Sequence, residues 1–160
     1  MINLKRLFII NYSLLIKEVC IFCAIVARKA PAHIVYEDEH TMAFLDIAPI
    51  FPGHTLVVPK YHAVTLPDLP AHLLQPLMAT VQLLTEKVQQ AMGSQGIFVM
   101  QNNIVSQTVH HVHFHVVPRN HTDGFTGFFS SHQRYRNQQH KTQTQQAIIN
   151  AIQGQTTPNT

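Results

Sequence analysis

The stretch His110-His-Val-His-Phe-His-Val-Val117 decides how this chain folds. From residue 111 to residue 116 polar and apolar residues alternate strictly, which is the pattern of a β-strand. Since successive side chains of a strand point to opposite faces, we expect three imidazole rings on one face, those of His111, His113 and His115. A rise of about 3.3 Å per residue separates neighbouring rings by about 6.6 Å along the chain. Rings spaced in this way can surround one phosphate or bind one metal ion.

Three interpretations of this histidine face compete. Residues 110–115 contain four histidines in six positions, which makes a merely solvated polar face a poor explanation. Metal ligation by two or three of the rings and metal-free imidazole chemistry fit the spacing about equally. A catalytic metal would also require a nearby carboxylate or a fourth ligand, and the sequence between Glu86 and Asp123 contains no acidic residue. This favours imidazole chemistry, with no catalytic metal expected.

Apolar periodicity and turn residues predict an α+β domain around this strand. The predicted elements are a short N-terminal helix and a long helix, Cys20–Lys29 and Leu69–Met92, and five strands, His33–Glu37, Thr41–Asp46, His54–Pro59, Gly96–Met100 and Val109–Val117. Asp68 is the predicted cap of the long helix and Gly93 its end. We expect an antiparallel five-stranded sheet with the helices on one side.

Composition limits the partners that this chain can have. Its 160 residues fit one domain, and 46% of them are hydrophobic, enough for a packed core. The net charge of +3 suits a small anionic ligand. Lys and Arg do not cluster on any segment, so neither nucleic acid nor a membrane is expected as a partner. Two cysteines, Cys20 and Cys23, indicate a reduced pair in the cytoplasm or half of a metal site.

Both ends of the chain differ from the middle. Residues 1–18 contain Lys5, Arg6 and an apolar stretch from Leu7 to Ile16, but Asn11-Tyr-Ser13 interrupts the stretch and no small-residue cleavage site follows. We interpret them as an extension, or as the product of a start codon placed too far upstream, rather than as a secretory signal. Residues 121–160 form a polar tail in which only residues 147–152 indicate a helix, and residues 155–160 are expected to be disordered.

Four motifs in collinear order resemble the histidine triad (HIT) family. They are Cys20-Ile-Phe-Cys23, Phe44-Leu-Asp-Ile-Ala-Pro49, Gly53-His-Thr-Leu-Val-Val-Pro-Lys-Tyr-His62 and Gln107-Thr-Val-His-His-Val-His-Phe-His-Val-Val-Pro-Arg119. The resemblance covers residues 19–120, which we take as the HIT domain. It implies a nucleotide-binding hydrolase or transferase that acts at the α-phosphorus of a purine nucleotide conjugate, either a dinucleoside polyphosphate or a nucleoside phosphoramidate. It also implies a homodimer.

The resemblance assigns roles to individual residues. His113 matches the nucleophile that forms a nucleotidyl-histidine, a reaction for which a neutral imidazole is available near pH 7. His115 and His54 match groups that donate to the phosphate oxygens and to the leaving group, and His111 matches a group that orients the nucleophile. The nucleotide-binding set comprises Asp46 for the ribose, Phe22, Ile25, Phe44, Ile47 and Leu56 for the base, and Asn102, Gln107 and Thr108 beside the phosphate. Each apolar member of this set is also explained as ordinary core.

Some relatives hold a structural zinc ion with residues corresponding to Cys20, Cys23, His62 and His111. Two thiolates and two imidazoles form a closed tetrahedral set for zinc. The alternative is a pair of free thiols, since many members of the family lack a metal.

One segment departs from the family pattern. Relatives carry a glycine-rich loop before the triad, whereas residues 102–106 here are Asn-Asn-Ile-Val-Ser, a shorter loop without glycine. Glycine permits backbone conformations that Ile104 and Val105 resist. Asn102 or Asn103 would supply the polar contact. The altered loop leaves open a nucleotide-binding regulatory module with weak or no catalysis, and a metalloenzyme that uses the triad directly is a third alternative.

Overall fold

A computed structural model describes residues 20–126 and 133–154, so the predictions about residues 1–18 and 155–160 lie outside it. Five strands form one antiparallel sheet in the order β1-β2-β3-β5-β4, which confirms the predicted α+β class. The strands are β1 Ile34–Glu37, β2 Thr41–Leu45, β3 Thr55–Pro59, β4 Gly96–Gln101 and β5 Phe114–Arg119. The helices are α1 Ile21–Val26, α2 Leu74–Met92 and α3 Gln138–Ile152, with 3₁₀ turns at Leu66–Asp68 and Ala71–Leu73.

The helices cover both faces of the sheet, so the prediction that they lie on one side was wrong. In β2, Ala43 and Leu45 pack into a large core with α2 and α3. Met42 and Phe44, which alternate with them, pack into a smaller core with α1. All five residues of β2 are buried, and a strand buried on both sides lacks the polar face that would have shown where its second cover lies.

β5 begins five residues later than predicted. The ladder starts at Phe114, where the strand pairs with β3 on one side and β4 on the other. Before that point, the amide of Val112 donates to the carbonyl oxygen of Ala63, at 2.8 Å, outside the sheet. Val112 still packs into the large core. The alternation of polar and apolar residues indicates which way side chains face. Here it begins at His111, before the hydrogen-bonded ladder starts at Phe114.

α2 begins at Leu74 instead of Leu69. The carboxylate of Asp68, predicted to cap this helix, accepts instead from the backbone amide and the hydroxyl of Thr65, at 2.9 and 2.6 Å, and closes a 3₁₀ turn. Leu69 is extended, with ψ 127°, because it precedes Pro70 and the residue before proline avoids the α region. The end of α2 was predicted correctly: Gly93 adopts the left-handed conformation, with φ 59°.

α3 packs against α2 and β1 and takes part in the large core. Ile148 is 0% exposed and Ala151 5% exposed. The side chain of Asn137 caps the helix by accepting from the amide of His140 at 2.8 Å. None of the helices in the described ranges combines the length and the apolar character needed to cross a membrane.

Candidate active site and metal centre

The three triad rings lie on the sheet face that α1 covers. His115 is part of β5, opposite Leu56 of β3 and Met100 of β4. The rings of His113 and His115 lie 4.9 Å apart, centroid to centroid. The ring of Phe22, from α1, meets the ring of His113 edge to face at 5.3 Å. The predicted clustering of the histidines on one face is thus what the fold produces.

His113 is held by its Nδ1 atom. That atom lies 2.6 Å from the carbonyl oxygen of His111, which can only accept, so Nδ1 carries the proton and donates. In the neutral ring the proton on Nδ1 leaves the lone pair on Nε2. The ring is therefore oriented by the backbone two residues upstream, and its Nε2 lone pair is the one that can act as a nucleophile.

His54 and His115 form a directed hydrogen-bond chain. The amide of Ile50 donates to Nδ1 of His54 at 3.2 Å, so the proton of the neutral His54 ring is on Nε2. Nε2 of His54 lies 2.9 Å from Nδ1 of His115 and donates to it. The proton of the neutral His115 ring is consequently on Nε2. One backbone amide thus sets the tautomers of two rings, and it leaves His115 as a donor next to His113.

Asp46 lies at the open side of His54. Its Oδ2 atom is 3.6 Å from Nδ1 of His54, and its Oδ1 atom accepts from the amide of Ala48 at 2.8 Å. Asp46, His54 and His115 together have the residue types of a metal site. One candidate ligand atom from each residue lies within 4.8 Å of the others. Nδ1 of the neutral His54 ring already accepts from Ile50, so Asp46 contacts it as a nearby charge and not as a hydrogen-bond partner.

Burial keeps the triad rings neutral. Together with the neighbouring rings of His54 and His113, it lowers the pKa of His115 to about 3. It also lowers the pKa of His113, which the bond to His111 and the charge of Asp46 partly oppose by raising it. Desolvation disfavours the imidazolium form. A neutral His113 is the form that can attack phosphorus.

A second cluster, the Cys₂His₂ cluster, comprises Cys20, Cys23, His62 and His111, the four residues predicted as zinc ligands. Their four candidate ligand atoms lie within 4.8 Å of one another. Nδ1 of His111 is 3.5 Å from Sγ of Cys20 and 3.6 Å from Sγ of Cys23. Nδ1 of His62 is 3.2 Å from Sγ of Cys23. A tetrahedral zinc ion with ordinary bond lengths places sulfur and nitrogen ligands about 3.6 Å apart, so the donor set fits.

His111 joins the two clusters. Its Nε2 atom donates to the carbonyl oxygen of Pro59 at 2.8 Å, which leaves the lone pair on Nδ1, the atom that faces the thiols. Metal-bound histidines ordinarily donate their second ring nitrogen in this manner. The backbone carbonyl of the same residue accepts from His113. His111 thus faces the Cys₂His₂ cluster with its side chain and orients the ring of His113 with its backbone.

The predicted base-binding residues divide into two groups. Four of them belong to the small core under α1 and are nearly inaccessible: Phe22, Ile25, Phe44 and Leu56. Ile47 is 87% exposed at the end of β2, beside Asp46. An apolar side chain this exposed is available for contact with a ligand, whereas the other four support the fold.

The loop before the triad is held by its own amide side chains. Gln107 is 6% exposed, accepts from the amide of Ile104 at 2.7 Å and donates to the carbonyl oxygen of Val64 at 2.6 Å. Asn102 donates to the carbonyl oxygen of Ser106 at 3.3 Å. Asn103 accepts from the amide of Leu66 at 2.8 Å, and Thr108 is exposed. These contacts tie the loop to the segment that precedes α2.

The glycine-free loop nevertheless contains the backbone conformation that glycine favours. Ile104 has φ 67° and Ser106 has φ 62°. A β-branched residue in the left-handed region is strained. Ile104 was expected to resist such a conformation, and its backbone is strained. The contacts of Asn102 and Gln107 hold the loop in this conformation.

Two contributors to the site had no sequence signal, because they act through backbone atoms. They are the amide of Ile50 and the carbonyl of Pro59, which set the tautomers of His54 and His111. Pro49 and Pro52, on either side of Ile50, indicated a rigid turn but not the direction of its amide.

Fold and site together define a class of small α+β proteins whose chemistry centres on buried imidazoles. The sequence matches the HIT domain over residues 27–122. It is 45% identical over 107 residues to an uncharacterized HIT-like protein of Methanocaldococcus jannaschii, covering 66% of this chain and 82% of that protein. It is 39% identical over 102 residues to an adenosine 5'-monophosphoramidase of Saccharomyces cerevisiae, covering 62% of each.

Solved structures agree with the sequence comparison. A Zn-bound histidine triad family protein from Mycobacterium smegmatis has a TM-score of 0.76 at 33% identity, covering 86% of this chain and 96% of that one. The chain belongs to the histidine triad (HIT) family.

Proposed function

We propose that this protein is a nucleotide hydrolase that cleaves a purine nucleotide conjugate at its α-phosphorus through a nucleotidyl intermediate on His113. The observation that carries the proposal is that the hydrogen bonds of His113 and His115 fix a different tautomer in each of these neighbouring rings. Nδ1 of His113 donates to the carbonyl of His111, so Nε2 is the nucleophile, and His115 presents an Nε2–H donor beside it. A nucleophile next to a donor is the arrangement that in-line displacement at phosphorus requires.

In the first step, Nε2 of His113 forms a bond to phosphorus as the bond from phosphorus to the leaving group breaks. The leaving group departs with the bonding electron pair. Nε2–H of His115 donates to it, and when the leaving group is an amine it takes that proton. The positive charge on the nucleotidylated His113 ring offsets the charge left on the His115–His54 pair.

In the second step, a water molecule attacks the same phosphorus, and the bond from phosphorus to Nε2 of His113 breaks. When the leaving group is an amine, the water gives one proton to the His115–His54 pair, which restores the starting tautomers. When the leaving group is a phosphate that took no proton, the proton of the water passes to solvent. The products are a nucleoside monophosphate and the free leaving group. The ring of His113 returns to its neutral form.

The substrate class is inferred from three features. The S. cerevisiae relative is named for hydrolysis of adenosine 5'-monophosphoramidate, an amine conjugate of AMP. Asp46 supplies a carboxylate that can accept from ribose hydroxyls, and the exposed Ile47 side chain can contact a base. A net charge of +3 favours an anionic ligand. We therefore expect hydrolysis of adenosine phosphoramidate and of diadenosine polyphosphates, through the same intermediate.

A side-by-side assay of these two substrates tests the proposal. We expect wild-type protein to release AMP, and His113→Ala to lose at least about 1000-fold in kcat while it binds AMP nearly as well as wild type. Equal turnover in wild type and His113→Ala would end the proposal. Binding of AMP without turnover in wild type would instead support the second candidate, a regulatory nucleotide-binding module, which the strained Ile104 loop favours.

We further propose that the Cys₂His₂ cluster holds a structural zinc ion. When bound, zinc would fix two thiolates and two imidazoles in one closed site, which stabilises the fold. Metal analysis of protein purified without a histidine tag should give one zinc per chain, and Cys23→Ser should lose the metal. His72→Asn, on the surface of a 3₁₀ turn, serves as the control. Two thiols that titrate freely in native, metal-free wild type would contradict zinc binding.

A further inference from the structure

The turn that precedes His54 is held by residues that lie beyond the part of the chain that matches the HIT domain. Its two ends are Ile50 and Gly53, and both contact the segment that leads into α3. The amide of Gln133 donates to the carbonyl oxygen of Ile50 at 2.9 Å. The amide of Gly53 donates to the hydroxyl oxygen of Tyr135 at 3.3 Å. Two hydrogen bonds therefore connect residues 133–135 to a turn that lies some 80 positions earlier in the chain.

Further contacts within and around the turn also restrict its conformation. Gly53 has φ 92°, and a Cβ atom there would lie 2.4 Å from Sδ of Met92. The amide of His54 donates to the carbonyl oxygen of Phe51 at 3.0 Å. Gly53 is buried, and a backbone amide in a buried residue needs an acceptor. Among the described residues that acceptor is the Tyr135 hydroxyl.

What the turn controls is the His54–His115 pair. The peptide amide of Ile50 donates to Nδ1 of His54, and this bond places the His54 proton on Nε2 and the His115 proton on its own Nε2. The carbonyl oxygen that accepts from the amide of Gln133 also belongs to Ile50. A shift of the turn would rotate the amide that sets both tautomers.

We propose that Tyr135 is a positioning residue for the His54–His115 pair, holding the Ile50–Gly53 turn so that His115 presents a proton to the leaving group. The inference rests on the proposed function for its catalytic consequence, but its structural part stands on the contacts alone. Tyr135 lies beyond residues 27–122, the part of the chain that matches the HIT domain. The residues before α3 thus supply a part of the site that the triad motifs do not encode.

Tyr135 acts through position and not by proton transfer. Burial raises the pKa of its hydroxyl to about 12, so the group is neutral at working pH. Its ring packs partly against the large core and against the ring of His140, whose centroid is 5.7 Å away. Removal of the hydroxyl alone leaves this packing in place.

The test uses the full-length protein and two tyrosine variants. Tyr135→Phe removes the acceptor for Gly53. Tyr36→Phe is the matched control, because its hydroxyl donates to Asp38 at 3.2 Å, away from the triad. Two AMP derivatives separate the donor function from attack: adenosine phosphoramidate, whose amine must gain a proton, and AMP p-nitrophenyl ester, whose nitrophenolate leaves without one.

We expect Tyr135→Phe to reduce kcat about tenfold for the phosphoramidate and less than twofold for the nitrophenyl ester, with the Kd for AMP close to wild type. The Tm should fall by a few degrees, because the amide of Gly53 loses its acceptor. Tyr36→Phe should change neither rate. An equal loss on both substrates, or no loss on either, would overturn the inference.

A second readout needs no turnover. Ring-nitrogen NMR should find one tautomer each for His54 and His115 in wild type and a mixture in Tyr135→Phe, and the amide of Gly53 should exchange faster in the variant. Unchanged tautomers and exchange would overturn the positioning role. A wild type that hydrolyses neither compound would sink the proposed function, and the NMR result would still decide the role of Tyr135.

Discussion

The three imidazoles of the triad differ in what holds their Nδ1 atoms. A backbone carbonyl holds that of His113, the ring of His54 holds that of His115, and two thiols face that of His111. Chemically identical side chains therefore present different atoms: a lone pair on Nε2 of His113, a proton on Nε2 of His115, and a lone pair on Nδ1 of His111 that faces the thiols. The neighbour of one ring nitrogen decides the chemistry of the other nitrogen.

Acid should weaken the fold through His115. Its pKa is about 3 in the folded protein and about 6.5 in an unfolded chain. Between these values the unfolded state binds a proton that the folded state does not. The free energy of unfolding is therefore undiminished above about pH 6.5 and falls as the pH drops below it, by up to about 1.4 kcal/mol per pH unit for one group.

Denaturant titrations of wild type and His115→Gln at pH 7.5, 6 and 5 check this prediction. The variant should show a shallower loss of stability with acid. Val57→Ala, which removes buried core atoms from β3, should lower stability at every pH without a change in slope. If the free energy of unfolding fell equally with acid in wild type and in His115→Gln, the effect would not come from His115.

At the level of elements, the sequence predicts the sheet better than it predicts where each element begins. Alternation placed the triad rings on one face but could not show that pairing starts only at Phe114. Asp68 is a residue type that commonly caps helices, yet Pro70 prevents a helix from following it directly. All five residues of β2 are buried, so the strand has no exposed polar face to show that α1 covers the second side.

The loop before the triad offers a prediction at the same scale. Ile104 is 67% exposed and has φ 67°, so its side chain gains little from contacts while its backbone is strained. Ile104→Gly should raise the free energy of unfolding by about 0.5–1 kcal/mol.

Thermal or urea denaturation measures this effect. Val105→Gly is the matched control: Val105 is 79% exposed, and its φ is not positive, so glycine there should destabilise by about 0.5–1 kcal/mol. A loss of stability in Ile104→Gly as large as in Val105→Gly would show that Ile104 carries no strain.

At the scale of the whole molecule, residues 133–154 are integrated into the packed structure. The sequence indicated a helix only weakly, through five apolar residues among Gln and Thr, because α3 buries few positions. Tyr135 gave no signal at all, since its partner Gly53 is distant in sequence. Long-range contacts of this kind are set by packing, which local patterns do not report. The predicted homodimer stays a prediction that light scattering can test.

The packing of α3 predicts a large effect at one residue. Ile148 is 0% exposed among residues of α2 and the sheet. Ile148→Ala should lower the free energy of unfolding by about 2–5 kcal/mol, through lost burial and the cavity left behind. Gln143→Ala, on the exposed side of the same helix, should change it by less than about 0.5 kcal/mol. Similar stability in the two variants, measured by urea denaturation, would mean that α3 does not share the core.

The most direct test of the central claim is to trap the intermediate. Wild-type protein is mixed with adenosine phosphoramidate, quenched within one turnover at alkaline pH, where a bond between phosphorus and imidazole survives, and digested for mass spectrometry. The account predicts one adenylyl group on the peptide that contains His113, and none in His113→Ala. Turnover with no labelled peptide, or with the label on another residue, would contradict it.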